Sequence, residues 1–253
     1  MGNKKLAGHT FLATLGKKRL RPGGKVATDW LIKKGHFSKE KKVLEVACNM
    51  CTTSIELAKI YHCHIEGVDL NNKALEQGRK NVAKHHLEKY IHLTQANAAK
   101  LPFEDNSFDI ILNEAMLTML PIAMKEKVLQ EYYRVLKPNG ILLTHDIAIV
   151  NRPLKEQVIT ELSNAINVKV TPLTTEHWYQ LYQSAGFSTI ESHTGTLSLM
   201  SPPGMIRDEG FVGTLNIIKN ALKPANRPMF FRMFKTMRKH KNNMNYIVHA
   251  VRK

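Results

Sequence analysis

The strongest constraint in this chain is a unit repeated between residues 43 and 150: a short apolar run, a polar loop, then an amphipathic stretch of helical period. VLEVA at residues 43–47 is followed by CNMCTT and then by SIELAKIY, which reads as a helix with Ile55, Leu57, Ala58 and Ile60 as its expected inward residues. HIEGVDL ends at Asp69, and NNKALEQGRKNVAKHHL follows with an asparagine placed to cap it. IHLTQAN, FDIILNEA and ILLTHDIAI read as three more strands, with a helix centred on KEKVLQEYYRVL and an LKPNG turn before the last. Strands that alternate with helices in this way predict an α/β fold, with a parallel sheet covered by helices on both faces. A helix through HWYQLYQSAGF, a strand in STIESHTGTL and a last strand in NYIVHAVRK complete the pattern.

Composition excludes other classes. No run of 18 apolar residues occurs in the 253, so an integral membrane protein is not expected. The N-terminal MGNKKLAGHTFLATLG is interrupted by His9 and Thr10 and lacks a small-residue cleavage site, so it does not read as a signal peptide. Gly2 invites an acylation reading, but Leu6 stands where that motif needs Ser or Thr. Cys48, Cys51 and Cys63 are too few and too clustered for a disulfide framework, which points to a reducing, cytoplasmic setting. Cys48-x-x-Cys51 with His62, Cys63 and His64 falls short of a zinc site, because no second CxxC completes the ligand set; no metal is expected.

The net charge of +16 is unevenly placed. Residues 1–42 carry 12 Lys and Arg against 2 acids, and residues 205–253 carry 11 against 2. Basic flanks of this kind suit nucleic acid, an anionic membrane surface or an acidic substrate, and equally suit solvated helix faces. The expected division is one domain, with a basic lid segment at 1–42, a core at 43–200, a helical insertion at 201–243 and the last strand at 244–253.

In open sheets of this class ligands sit beyond the carboxyl ends of the strands, where strand order reverses. Five strand ends therefore matter: Glu45 with the 47–51 loop, Asp69, Asn97-Ala98, Asn113-Glu114 and His145-Asp146. Asp69, 24 residues beyond Glu45, stands about where an acid meets the hydroxyls of an adenosine ribose. It reads equally as a surface acid capping the next helix.

VLEVACNMCTTSIELA, GVDLNNKALEQGRKN, QANAAKLPFEDNSFDIILNEAMLTML and RVLKPNGILLTHD together resemble the successive motifs of the class I S-adenosylmethionine-dependent methyltransferases, particularly the ubiquinone and menaquinone methyltransferase group. LPFEDNSFD and RVLKPNG are the most diagnostic pieces. The resemblance implies a Rossmann-like, mostly parallel seven-stranded sheet with an antiparallel last strand, and S-adenosylmethionine as cofactor. It implies that Glu45 orders the first loop near the methionine moiety, with Ala47 and Asn49 in that loop, and that Asp69 binds ribose. Asn97 and the Ala98 N–H would meet adenine, Leu70 and Leu101 would sandwich it, and Asn113 would lie near the methionine end. The family's first loop carries three glycines where this chain has Ala47, Asn49 and Cys51, and Asn97 stands for the usual acid.

On the acceptor side, His145 is the expected general base, tuned by Asp146, and Glu114 is a second candidate. Arg19, Arg21 and Arg207 would offer forks to an anionic group, around a turn or hinge at Gly23-Gly24. Trp178, Tyr179 and the Met-rich stretch 229–237 would line an apolar pocket. The leading expectation is a small-molecule methyltransferase. An RNA or protein methyltransferase docking through the basic flanks, and a non-catalytic binding protein with a degenerate loop, are the alternatives. NEAM in place of an NPPY-type stretch disfavours a nucleic-acid substrate.

Overall fold

The computed structural model describes residues 6–253; Gly2, and with it the acylation motif, lies outside the described residues. Two helices, α1 (Gly8–Thr14) and α2 (Gly24–Gly35), precede the sheet. The alternation then runs β1 (Lys42–Val46), α3 (Thr52–Tyr61), β2 (His64–Asp69), α4 (Asn72–Lys84), β3 (Ile91–Gln95), β4 (Phe108–Glu114), α5 (Ile122–Val135) and β5 (Leu136–Ile149). Next come α6 (Lys155–Ile166), β6 (Leu173–Thr174), α7 (Thr175–Ser184), β7 (Ile190–Thr196), α8 (Pro202–Ala221), α9 (Arg227–Lys239) and β8 (Met244–Arg252). The Asn71 side chain accepts from the Lys73 and Ala74 N–H groups and so caps α4.

The strand order is β3-β2-β1-β4-β5-β8-β7, with the two-residue β6 pairing with β5 off this path. Strands β1 to β5 are parallel, and β8 runs antiparallel to both β5 and β7. The expected seven-stranded sheet with an antiparallel last strand is present, and that strand lies inside the sheet rather than at its edge. The LKPNG segment joins β5 instead of standing apart as a turn; Asn139, at φ 62, supplies its left-handed residue. Order reverses beside β1, whose partners are β2 on one side and β4 on the other. A crevice opens there at the carboxyl ends.

The inner strands are buried on both faces, as parallel strands under two helical layers must be. One layer packs Leu31, Leu57 and Leu75 against Val43, Ile65 and Leu143, and the other packs Val128, Tyr132 and Trp178 against Leu44, Ile111 and Leu142. A separate cluster stands above the carboxyl edge: Phe11, Leu12 and Leu15 of α1 pack with Ile217 of α8 and Phe230 and Met233 of α9. Segments from opposite ends of the chain thus share one small core over the crevice.

A polar latch joins the same segments. α8 breaks at Gly210, whose φ of 73° and ψ of 170° are non-helical, and the two acids just before the break turn inward. Lys17 pairs with Asp208 at 3.2 Å and Glu209 at 3.4 Å, all three nearly sealed from solvent. Glu209 also accepts from the Lys18 and Arg19 N–H groups at 3.0 and 2.9 Å, and Asp208 accepts from Lys25 N–H at 2.8 Å. Gly24, at φ +56°, leaves room for the Asp208 carboxylate that a Cβ would strike. Among the described residues no helix is long and apolar enough to cross a membrane.

Candidate active site

The loop between β1 and α3 takes the left-handed conformation at three positions: Ala47 (φ 57°), Asn49 (φ 50°) and Cys51 (φ 64°). These are the three places where glycines were expected, so the backbone path is kept without them. For a non-glycine residue this costs roughly 1–2 kcal/mol each, less for asparagine. Hydrogen bonds hold the loop: Cys48 N–H donates to Val68 O at 3.1 Å, Asn49 N–H to Asp69 Oδ2 at 3.0 Å, and Asn81 Nδ2 to Met50 O at 3.0 Å. The two sulfurs are accommodated by glycines elsewhere. A Cβ on Gly78 of α4 would lie 2.8 Å from Cys51 Sγ, and one on Gly67 of β2 would lie 3.1 Å from Cys48 Sγ. Cys51 is buried against α4 and is absent from the walls of the crevice. The Cys48 thiol is pushed up by its contact with Cys51 and by burial, so it stays protonated and is a poor nucleophile or metal ligand.

The crevice is a cleft of about 370 Å³. Glu45, Ala47, Asn49 and Asp69 line it, joined by Glu114 from β4 and Arg21 from the lid. Glu45 accepts from the Ser54 hydroxyl, and burial pushes its carboxyl up to about 7 against Ser54 and the Arg21 charge. Asp69 accepts from Asn49 N–H through Oδ2 and from Asn71 N–H at 2.8 Å through Oδ1. Each oxygen retains a second lone pair for a ligand hydroxyl. The cap of α4 is Asn71, so Asp69 braces the turn before the helix and remains open to a ligand.

Leu70, Asn97, Ala98 and Asn113 stand off the cleft walls. Leu70 is exposed, and Asn97 turns its Oδ1 to the Ala99 N–H at 2.9 Å. Ala98 and Leu101 are buried in the layer under α5. Asn113, fully buried, donates to Val46 O at 3.0 Å and leaves its Oδ1 without a partner among the described residues.

The expected bases are engaged in holding the lid. The ring of His145 is sealed: its Nε2 accepts from Gly23 N–H at 2.9 Å, and its Nδ1 meets Glu114 Oε2 at 3.1 Å. Burial lowers the imidazole below its ordinary value, opposed by Glu114. With both nitrogens committed and no place in the cleft wall, His145 fixes the N-terminal segment rather than serving a substrate. Glu114 pairs with Arg21 and accepts from Thr28 Oγ1 at 2.7 Å. Burial would raise its carboxyl, but the Arg21 charge and the His145 and Thr28 hydrogen bonds hold it down at about 2, too weak a base to take a substrate proton.

The other acceptor-side residues stand apart from the cleft, Arg21 excepted. Side chains alternate along β5, so Asp146 faces away from His145 and cannot tune it. It accepts from the Thr118 N–H and hydroxyl at 2.7 and 2.8 Å in the opposite layer, where burial pushes it up to about 7. Trp178 is fully buried core, donating to Ile147 O at 3.1 Å, and Tyr179 stands half-exposed on α7. Arg19 pairs with Glu56 at 2.8 Å beside the cleft, and Arg207 is exposed outside it. Only Arg21 of the three arginines reaches the cleft wall.

A second cavity, of about 70 Å³ and almost wholly apolar in its lining, lies under the lid. Leu12, Leu199, Met233 and Met237 help to wall it, the last two from the Met-rich stretch. It shares His9, Leu20, Ala115 and Met119 with the main cleft, so the two spaces meet there. His9 is the one titratable side chain at this junction, and its Nδ1 is buried without a partner among the described residues. Burial lowers its pKa from the ordinary 6.5, partly opposed by Asp69, leaving a neutral imidazole near pH 7. Nothing in the spacing of the sequence marks His9; its break in the weakly apolar N-terminal run was the only trace.

A family model described as a methyltransferase domain matches residues 37–186. The chain is 55% identical, over 95% of both lengths, to an uncharacterized protein of Haemophilus influenzae. It is 34% identical over 68% of its length to a demethylmenaquinone methyltransferase of Listeria welshimeri, covering 71% of that protein. Its fold is similar to that of Haemonchus contortus phosphoethanolamine N-methyltransferase 2 solved with S-adenosyl-L-methionine, with a TM-score of 0.73 at 18% identity, over 97% of this chain and 56% of that one.

Proposed function

The chain belongs to the class I S-adenosylmethionine-dependent methyltransferases, and from that membership we propose that it methylates a small acceptor whose apolar part fills the chamber under the lid. The observation that carries this reading is the junction at His9 and Met119. There a small, mostly apolar space of about 70 Å³ opens off the cofactor cleft under the latched segment, which supports an acceptor with a small apolar part.

The residues fit the cofactor. Asp69 has lone pairs left for the ribose hydroxyls, and the Glu45 carboxyl, with Ala47 and Asn49 in the loop that follows it, suits the positively charged methionine end. Asn97 and Ala98, just past the cleft wall, would meet adenine if that ring extends beyond Asp69, and Asn113, with an Oδ1 unpartnered among the described residues, would lie behind the methionine end. S-adenosylmethionine supplies an electrophilic methyl on a sulfonium, for in-line displacement by the acceptor's nucleophile. The chain's own contribution is to exclude water with the lid, to orient the acceptor against Met119 and Leu20, and to receive its proton on the neutral His9 ring.

Labelling a cell extract with methyl-tritiated S-adenosylmethionine and the purified protein tests the class of acceptor. Label is expected in the small-molecule fraction, and label confined to RNA or protein would overturn the proposal. The Met119→Trp variant fills the junction and is expected to keep cofactor affinity, by calorimetry, while losing nearly all transfer. His9→Ala is expected to lower kcat about 100-fold. It should also abolish the acid limb of the kcat/KM profile, which in the parent rises with pH through a value below 6.5 and then stays level. An unchanged profile would remove His9 from the proton path.

A further inference from the structure

The half of α8 beyond Gly210 is apolar on two faces. Ile217 and Ala221 share a core with α1 and Thr214 is buried beside them, yet Phe211, Val212, Leu215 and, just past the helix end, Leu222 point out, with exposures of 64%, 71%, 50% and 50%. A helix apolar nearly all round belongs under cover, and a cluster of this kind on a surface marks a binding face. Phe231 of α9 is also exposed.

The charge around this ridge is of one sign. Residues 210–241 contain eight Lys and Arg and no Asp or Glu. Lys219, Lys223, Arg227 and Lys235 are exposed and form no ion pair among the described residues. The ridge is held in place rather than trailing, because Asp208 and Glu209 latch the preceding turn to Lys17 and the inward face shares a core with α1.

We infer that the α8–α9 hairpin docks the protein on an anionic lipid surface, with Phe211, Val212 and Leu215 entering the headgroup region and the surrounding lysines and arginines meeting lipid phosphates. Exposed aliphatic and phenylalanine side chains beside acid-free basic ones are the composition of an interfacial helix. A second copy of the chain would bring two basic faces together, which like-charge repulsion opposes. A nucleic acid would use the cations and leave the aliphatic ridge in water. The inference goes beyond the reading of the acceptor and does not depend on it. The two share one element: Met233 and Met237 wall the apolar chamber from α9, the second helix of the docking hairpin.

Flotation of the purified full chain with vesicles tests the docking. The parent is expected to float with phosphatidylcholine–phosphatidylglycerol vesicles and to stay behind with phosphatidylcholine alone or in high salt. The F211S/V212S/L215S variant should lose on the order of 100-fold in partition coefficient, and K219E/K223E at least about 30-fold. Both should bind S-adenosylmethionine like the parent in calorimetry, since neither change touches the cleft, and this establishes that they fold. A parent that does not float, or a folded serine variant that floats as well as the parent, overturns the docking. So does a concentration-dependent dimer, seen by sedimentation, that the serine variant abolishes while vesicle binding persists unchanged.

Discussion

Replacing Glu114 by alanine is expected to cost about 3–5 kcal/mol of stability, because it leaves Arg21, 8% exposed, as a buried cation without its partner. The loss spreads through the contacts of that carboxylate with Thr28 and the sealed ring of His145, which itself holds Gly23. Urea unfolding near neutral pH should report the full difference. The sign of its pH dependence follows from the folded-state value of about 2, below the ordinary 4.5. A depressed carboxyl stabilises the fold above 4.5, and that contribution disappears as pH falls toward 2. The gap between parent and variant should therefore narrow by about 3 kcal/mol across that window. A gap that stays constant with pH would mean that Glu114 is not the anchor of the lid.

Gly78→Ala is expected to lower stability by about 1–3 kcal/mol, although alanine is intrinsically the better helix former by about 1 kcal/mol. The new methyl would meet Cys51 Sγ at 2.8 Å and Leu93 Cδ1 at 3.1 Å, pressing on the loop that carries Ala47 and Asn49. Cofactor affinity should fall on the order of tenfold as that loop shifts, equivalent to about 1.4 kcal/mol. Cys51→Gly removes the sulfur and also relieves the left-handed strain at φ 64°. The double variant G78A/C51G should then recover most of the loss, with a coupling of about 1–2 kcal/mol in thermal unfolding and calorimetry. Additive effects would mean that the sulfur and the glycine are not mutually required.

This pair also explains how much of the site could be read from residue order. The strands, their polar ends and the sheet that they build follow from local period, so Glu45 and Asp69 were legible as cleft residues. The effect of replacing three loop glycines was not. It depends on Gly67 and Gly78, which lie in different elements and reveal their purpose only when β2 and α4 come beside the loop. His145 and Asp146 read as a cooperating pair because they are adjacent, yet adjacency in a strand places them on opposite faces. Arg21 and Glu114 sit 93 positions apart, and their pairing is visible only once the N-terminal segment folds over the sheet edge. His9 was hidden for the same reason. A histidine in a weakly apolar stretch carries no local sign of the cavity that α6 and α9 complete around it.

The position of β8 has a consequence for how the molecule comes together during synthesis. β7 has no neighbour in the sheet except β8, and β8 follows every other strand in the chain. A nascent chain can assemble β1 to β5 as they emerge, but β7 must wait unpaired while the forty-odd residues of the α8–α9 segment leave the ribosome. The antiparallel zippering of β8 between two strands already made is a late, non-local event, and such events are slow. Through most of its assembly the protein therefore carries β5 without its antiparallel neighbour, and the two parts of its sheet join only in the final step.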